Sequence, residues 1–279
     1  MSKLQGLLFA LATVVLVVVA TYLFVAHDWM PSLNSDRGAI DTAIWWSLLV
    51  TGIAFIGTNL LLAYFSWRYQ DAPGAKAAYW HDNPKLEISW TLVTAGILLI
   101  FLVNALTLWA KITNADARPA DAVTIEIVGQ QFAWNFRYPG KDGVFGRTDV
   151  MKVDAEMGNF VGVDKGDPAA ADDLVPAQGV LLIPEGRPVL LRIRSLDVIH
   201  SFFLPNFRVK QDAMPGMTVE TWFTPTRAGK FEIACAEHCG LGHYKMQGTV
   251  YVRPADAFRA ETASQEALDA AVTALASAQ

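Results

Sequence analysis

Residues 235–246 read Cys235-Ala-Glu-His-Cys239-Gly-Leu-Gly-His243-Tyr-Lys-Met246, and they contain the only two cysteines of the 279-residue chain. A histidine and a methionine lie within the same twelve positions. Thiolate and thioether sulfurs favour Cu(I), and imidazole binds copper as well as zinc. The stretch contains neither of the zinc spacings Cys-x-x-Cys and His-x-x-x-His. It therefore predicts a copper site.

The second cysteine indicates two copper ions rather than one. A single blue-copper site needs one Cys, two His and a weak axial Met, whereas this stretch has a second thiol four residues after the first. Two thiolates can bridge two ions, and His243, Met246 and the backbone carbonyl of Glu237 can complete much of the ligand set. One imidazole is still needed. His200, at the end of a predicted strand, is the candidate for it.

Two simpler interpretations of the cysteines stay open at this point. They could form a disulfide, as in proteins of oxidising compartments, or a redox-active Cys-x-x-x-Cys pair of the kind used by copper chaperones. Neither interpretation accounts for His243 and Met246. His27 and His81 lie beside apolar segments and are interpreted as interfacial side chains rather than ligands.

The first 112 residues have the composition of a membrane anchor. The chain is 53% apolar and its mean hydropathy is positive. Runs of about 20 uncharged residues are long enough to cross a bilayer as helices. We place three predicted transmembrane helices at 7–26, 43–66 and 89–110. The first could be a signal sequence, but its apolar core is longer than a signal requires, which favours a retained helix.

Loop charges predict the orientation of the anchor. The loop between the second and third runs contains Arg68, Lys76 and Lys85, whereas the loop between the first two contains only Arg37. The positive-inside rule therefore places the more basic loop in the cytoplasm. Everything after residue 110 is then outside, and we expect a multi-pass protein of a bacterial-type inner membrane.

A different pattern begins after the anchor, because apolar runs are replaced by alternation with a period of two. This period predicts half-buried strands at 123–128, 189–194 and 249–252. Short strands separated by Pro and Gly turns indicate an all-β sandwich over residues 113–254. The predicted fold class is thus a membrane-anchored all-β protein.

Two further segments are recognised by composition. Residues 140–178 are acidic and lack a strand pattern, so we interpret them as a solvated insertion loop, with a Ca²⁺ site as a weaker alternative. Residues 255–279 are Ala-rich and predict a C-terminal helical tail that either lies on the surface or is partly frayed.

Charge excludes one class of partner. Residues 1–112 contain six basic and six acidic residues, so the net charge of −5 belongs entirely to the segment after the anchor. An acidic segment does not bind a phosphate backbone, which excludes nucleic acid as a partner. It would instead attract a basic protein.

The pattern of His200 followed by Cys-x-Glu-x-Cys-x-x-x-His-x-x-Met resembles the binuclear Cu-A centre of subunit II of the haem-copper cytochrome c oxidases. The segment 209–216 between the two ligand groups also resembles that family. The resemblance implies a cupredoxin Greek-key sandwich with the metal in loops at one end. It implies six copper ligands, namely His200, Cys235, Glu237, Cys239, His243 and Met246. His238 matches no ligand position.

The resemblance also implies a function. The outer domain would accept electrons from cytochrome c, or from a membrane-bound c-type cytochrome, and pass them through Cu-A to haem in subunit I. Subunit I, which holds haem and Cu-B, would reduce oxygen to water with coupled proton pumping, and subunit III would be a further partner. The carboxylate of Glu237 would reach a Mg²⁺ at the interface with subunit I. The alternative is a membrane-anchored copper-delivery or copper-storage protein.

Two more positions are singled out by the resemblance. Glu87, in Glu-x-x-Trp at the cytoplasmic start of the third helix, resembles the family position that opens a proton-uptake path, although a helix-dipole role is compatible. Phe132 stands where the family usually has a Trp that receives electrons, and we expect it to centre the donor-docking patch with Trp134 as packing. Arg137 and Lys141 stand where acidic docking groups are common.

Overall fold

The structure is a computed structural model that describes residues 3–70, 74, 76 and 78–277. The ends of the predicted anchor and tail, and part of the predicted cytoplasmic loop, lie outside these residues. The chain forms two compact units. One consists of the residues up to Pro31 together with Ala39–Ala110, and the other consists of Ser32–Gly38 together with the residues from Lys111 onward.

The first unit contains three helices, α1 (Lys3–Ala26), α2 (Gly38–Arg68) and α3 (Pro84–Thr113). All three are long and apolar enough to cross a membrane, and they include the three predicted segments. Hydroxyl side chains within them donate to the carbonyl four residues earlier, as Thr58 does to Ala54 at 2.7 Å. Because hydrocarbon offers no hydrogen-bond partners, this internal satisfaction suits a helix in a bilayer.

In its described residues, the second unit contains nine strands and two short α-helices. The strands are β1 (Val123–Gln130), β2 (Ala133–Arg137), β3 (Val180–Pro184), β4 (Val189–Ser195), β5 (His200–Leu204), β6 (Val209–Ala213), β7 (Val219–Phe223), β8 (Gly229–Cys235) and β9 (Gln247–Arg253). They form a four-stranded sheet, β2-β1-β4-β7, and a five-stranded sheet, β3-β9-β8-β5-β6. The strands β1, β4 and β9 contain the three predicted ones, so the prediction of an all-β sandwich is confirmed.

The core lies between the two sheets. Alternate residues of β1 and β4 point into it, including Ile125, Ile127, Leu191 and Ile193, all fully buried. The other sheet contributes Phe202 from β5, which packs edge-on against aromatic side chains of β2. The fold of the outer domain is therefore a cupredoxin-like sandwich, joined to apolar N-terminal helices.

The acidic insertion is an irregular segment with many exposed side chains, and parts of it also pack on the four-stranded sheet. Arg137 is buried and pairs with Glu126 at 2.7 Å and with Asp173 of the insertion at 2.9 Å. Val161 of the insertion packs on Val128 of β1. Several insertion carboxylates accept backbone N–H groups of their own turns, at Asp149, Asp154 and Asp167 among others. Its acidic residues thus hold the segment in shape.

The C-terminal tail forms α4 (Ala255–Glu261) and α5 (Gln265–Ser277). Phe258, Leu268 and Val272 are buried against the sandwich core, and Gln265 exchanges hydrogen bonds with the backbone of Val175. The described part of the tail is therefore packed on the domain rather than frayed. An apolar stripe at helical spacing, Leu268 to Val272 to Leu275, is the physical reason.

A segment of the loop between α1 and α2 belongs to the outer domain. We call residues Ser32–Gly38 the strap. The amide N of Asn34 donates to the carbonyl of Asn206 at 2.6 Å, and its side chain donates to the carbonyl of Arg227 at 2.9 Å. Arg37 is 8% exposed and donates to the hydroxyl of Thr221 at 3.0 Å. The single basic residue of this loop is thus a buried structural group.

Candidate metal centre

The stretch 235–246 folds into a loop that leaves β8 at its last residue and returns directly into β9. The amide N of Cys235 donates to the carbonyl of Met246 at 3.1 Å, which closes the base of the loop. Within the loop, His243–Lys245 form a 3-10 turn, and the amide N of Met246 donates to the carbonyl of His243 at 3.1 Å. This tight path directs the ligand-type side chains towards one another.

Three of the proposed ligand groups surround the sulfur of Cys239. Its Sγ lies 3.9 Å from Sγ of Cys235, 3.7 Å from Nδ1 of His243 and 3.7 Å from Sδ of Met246. The carbonyl oxygen of Glu237 lies 3.2 Å from Sγ of Cys235. Both cysteines are free thiols, so they do not form the disulfide that was one interpretation of the sequence. The loop thus brings all five groups proposed from this stretch into one cluster.

His200 reaches the same cluster from the neighbouring strand. It is the first residue of β5, and thus at one end of a strand, and it is fully buried. Pairing of Phe202 with Cys235 aligns β5 with the ligand loop. A ring nitrogen of His200 and the sulfurs of Cys235 and Cys239 lie within 4.8 Å of one another. The sixth proposed group is therefore in place.

The hydrogen-bond environment of His200 suits a metal ligand. Its Nε2 lies 2.8 Å from Oδ1 of Asp197, while its Nδ1 is buried and has no hydrogen-bond partner among the described residues. A buried polar atom without a partner costs free energy. A cation at Nδ1 would remove this cost, so the residues present fit a soft metal ion.

Burial shapes the electrostatics of the sulfurs. Burial and the neighbouring thiol of Cys235 raise the pKa of Cys239 to about 11. Two adjacent thiolates are therefore unfavourable without a compensating positive charge. Burial also acts to raise the pKa of Asp197, but hydrogen bonds from His200, Gln131 and Val198 outweigh it and hold that pKa below its usual value. The carboxylate beside His200 stays ionised.

The two aromatic residues proposed for electron uptake occupy different environments. The ring of Phe132 is 37% exposed and lies directly on the ligand loop, where a Cβ added at Gly242 would be 2.4 Å from it. Trp134 is fully buried and packs edge-on against His200, with ring centroids 5.9 Å apart. Trp134 therefore offers no surface to a donor and is a packing residue.

Four charged positions that the sequence analysis singled out are placed as follows. The side chain of Glu237 is exposed beside the ligand loop. Glu87 is exposed in the first turn of α3, where its N–H donates to the carbonyl of Asn83 at 3.0 Å. Arg137, which stands where the family commonly has an acidic docking group, is only 3% exposed and is held in its ion pairs. Lys141 is exposed.

Two residues at the centre were not identified from the sequence, Asp197 and Gln131. Each bonds to a loop that carries a proposed ligand. A local signal exists for Asp197, because it stands three residues before His200 and histidine ligands commonly donate their second ring N–H to a carboxylate. Gln131 gives no such signal, since its partner is a backbone carbonyl 108 residues away.

Comparisons with known proteins give consistent results. The family model for the periplasmic domain of cytochrome c oxidase subunit II matches residues 123–252. The chain is 40% identical over 235 residues to the alternative cytochrome c oxidase subunit 2 of Bradyrhizobium diazoefficiens, covering 84% of this chain and 82% of that one. It is 29% identical to the cytochrome c oxidase subunit 2 of Cereibacter sphaeroides, covering 79% and 75%.

A solved structure was also matched, the periplasmic domain of subunit II of cytochrome oxidase of Bradyrhizobium japonicum. The match has 29% identity and a TM-score of 0.37, and it covers 52% of this chain and 93% of that one.

Proposed function

Since the chain belongs to the cytochrome c oxidase subunit II family, we propose that it is the electron-accepting subunit of an aerobic terminal oxidase. It would take electrons from a c-type cytochrome, either soluble or membrane-bound, and deliver them to haem in subunit I. Subunit I would then reduce oxygen to water with coupled proton pumping. The membrane anchor and the outside domain support this arrangement, because an external donor can reach the domain.

The proposed cofactor is a binuclear copper centre of the Cu-A type. The observation that carries this proposal is the convergence of His200 and the two free thiols within 4.8 Å, with Nδ1 of His200 lacking a partner among the described residues. The proposed ligands are His200, Cys235, the carbonyl of Glu237, Cys239, His243 and Met246. When bound, the copper pair supplies reversible one-electron redox chemistry, with the odd electron shared by both ions.

The residues of the chain would favour fast transfer in two ways. The ligands lie on a short loop and a strand end that are packed on a buried core, which limits geometric change between oxidation states. Phe132 would provide an exposed apolar contact for the donor directly above the ligand loop. Desolvated aromatic contacts are typical centres of protein interfaces.

The strap supports a multi-pass orientation. Because Ser32–Gly38 belongs to the outer domain, the α1–α2 loop would lie outside, and the α2–α3 loop with its basic residues would face the cytoplasm. We propose a bacterial inner-membrane location with three passes. Subunit III would be a further partner in the membrane, and the exposed Glu237 carboxylate is available for a Mg²⁺ at the contact with subunit I.

A copper-delivery or copper-storage protein is less well supported. Such a protein needs an open site from which metal exchanges readily. Cys239 and Met246 are almost completely buried, at 4% and 1% exposure. A buried ligand set favours a resident cofactor over cargo.

Copper analysis of the full chain in its assembled oxidase tests the proposal. After the Cu-B ion proposed for subunit I is subtracted, we expect two copper ions per chain and an electron paramagnetic resonance spectrum with hyperfine splitting from two equivalent nuclei. Cys235→Ser should lose this pattern because a hydroxyl is a poor ligand for a soft metal. His238→Ala, at an exposed residue on no proposed ligand position, is the matched control and should keep it. A single-copper spectrum from the unaltered chain would contradict the proposal.

A further inference from the structure

One carboxylate connects the loops around the metal centre. Oδ1 of Asp197 lies 2.8 Å from Nε2 of His200, and Oδ2 accepts the backbone N–H of Gln131 at 2.7 Å. The side chain of Gln131 donates from Nε2 to the carbonyl oxygen of Cys239 at 2.6 Å. We call Asp197 and Gln131 the clamp. The clamp joins the loop that carries His200, the loop that carries Cys239 and the turn that carries Phe132.

The clamp determines which nitrogen of His200 is free. An imidazole that donates its Nε2–H to a carboxylate leaves Nδ1 as the atom with the lone pair. Nδ1 is the buried atom that has no partner among the described residues. A carboxylate partner also fixes the orientation of the ring and increases its basicity.

A local turn would not require this arrangement. Oδ1 of Asp197 accepts the N–H of Val198 at 2.7 Å, which would be sufficient for a turn before β5. The second oxygen instead reaches Gln131, which is 66 residues away in the sequence. The neighbouring residue Phe132 then lies on the ligand loop. The carboxylate therefore connects the proposed ligand His200 with the proposed donor contact.

We propose that Asp197 is a positioning residue of the metal centre, a role that rests on the proposed copper function. It holds His200 in the tautomer and orientation that direct Nδ1 at the metal. Through Gln131 it also fixes Phe132 against the ligand loop. The stability of the bound metal, its reduction potential and the donor contact thus depend on one carboxylate.

The test uses Asp197→Asn in the full chain of the assembled oxidase. Asparagine keeps the size of the side chain but removes the negative charge and replaces one acceptor oxygen with a donor. Asp142→Asn is the matched control, because Asp142 is exposed in the insertion and its Oδ1 likewise accepts a backbone N–H, that of Val144 at 2.8 Å. Copper content, chelator competition, redox titration and unfolding of the copper-free form are measured for both variants.

We expect copper affinity in Asp197→Asn to fall by about 10- to 100-fold, the usual effect of losing a carboxylate that supports a histidine ligand. The reduction potential should rise, because the more positive oxidised centre loses a nearby negative charge. Asp142→Asn should change neither quantity. Asp197→Asn could also lose copper completely. If its copper-free form still unfolded cooperatively, that result would support the proposal as well.

Three outcomes would overturn it. One is a copper-loaded Asp197→Asn with unaltered affinity and potential, and another is an equal shift in Asp142→Asn. The third is a copper-free Asp197→Asn that no longer unfolds cooperatively, which would show a requirement of the fold itself. These outcomes differ from a failure of the proposed copper function itself. In that case the unaltered chain would lack the two-copper spectrum.

Discussion

At the scale of single residues, exposure separates two aromatic side chains that the sequence places two positions apart. Phe132 lies at the surface on the ligand loop, whereas Trp134 is inside the domain against His200. Residues two apart in a strand share a face, but Phe132 precedes β2 and only Trp134 lies within that strand, so the alternation does not relate the two rings. The donor contact proposed for this chain therefore concerns Phe132 alone.

Substitution of Phe132 tests that contact. Phe132→Asp should slow electron transfer from the donor to copper by about tenfold or more, because it places a charge in a desolvated contact. Phe132→Trp should be nearly neutral, since the ring is partly exposed and a larger ring can extend outward. Stopped-flow reduction of the centre by its physiological cytochrome measures both rates.

The reduction potential of the centre serves as the control for this pair. It should be the same in both variants as in the unaltered chain, so that a slower rate reports the contact and not the driving force. An unchanged rate in Phe132→Asp would show that the donor docks elsewhere.

At the scale of elements, the strap makes the α1–α2 loop part of the sandwich. Ser35 forms a bridge with Pro225, and Arg37 donates to Thr221 and to the carbonyl of Trp222 on β7. Burial lowers the pKa of Arg37 from its usual value. A buried cation whose hydrogen-bond partners surround it is costly to remove, because those partners are left unsatisfied.

Arg37→Ala should therefore loosen β7. Loss of hydrogen bonds from a charged group costs about 1.5–3 kcal/mol, which corresponds to roughly 10- to 150-fold faster exchange of amides that open locally. Hydrogen–deuterium exchange of the full chain, read at peptides covering Val219–Phe223, measures the effect.

Arg259→Ala is the matched control for the strap. Arg259 is 68% exposed and pairs with Asp256 on the surface of α4, an interaction of about 0–1 kcal/mol. If the amides of β7 exchanged at the same rate in both variants, the strap would contact the domain without stabilising β7.

At the scale of the whole molecule, Glu87 and the domain proposed to bind copper belong to different units. Glu87 lies at the start of α3, and the outer domain follows the end of that helix. We therefore expect Glu87→Ala to slow oxygen reduction by the assembled oxidase while reduction of copper by the donor is unchanged. Oxygen consumption and stopped-flow copper reduction separate the two steps.

Asp41→Ala gives the comparison for a helix-dipole effect. It removes an acidic residue from the first turn of α2, as Glu87→Ala does from the first turn of α3. If Glu87→Ala turned over oxygen at the same rate as the unaltered chain, only the helix-dipole role would remain for Glu87.

Local pattern was sufficient for much of the architecture. The three apolar runs, the period-two strands and the density of sulfur and imidazole groups in 235–246 are all properties of neighbouring positions, so the helices, the sandwich and the candidate copper cluster could be predicted. His200 was proposed because the ligand set of this stretch lacked one imidazole, and the family resemblance supported it.

Tertiary structure alone decided the burial of Arg37 and Arg137, the packing of the insertion on β1, the exposure of Phe132 and the clamp beside His200. These features depend on contacts between distant segments, as the bond from Asn34 to Arg227 across 193 residues illustrates. An arginine in a loop has the same local pattern whether it is solvated or buried in an ion pair. Whether the arginine is solvated or buried depends on which groups the rest of the chain places around it. A charge is stable inside a protein only where partners replace its lost hydration.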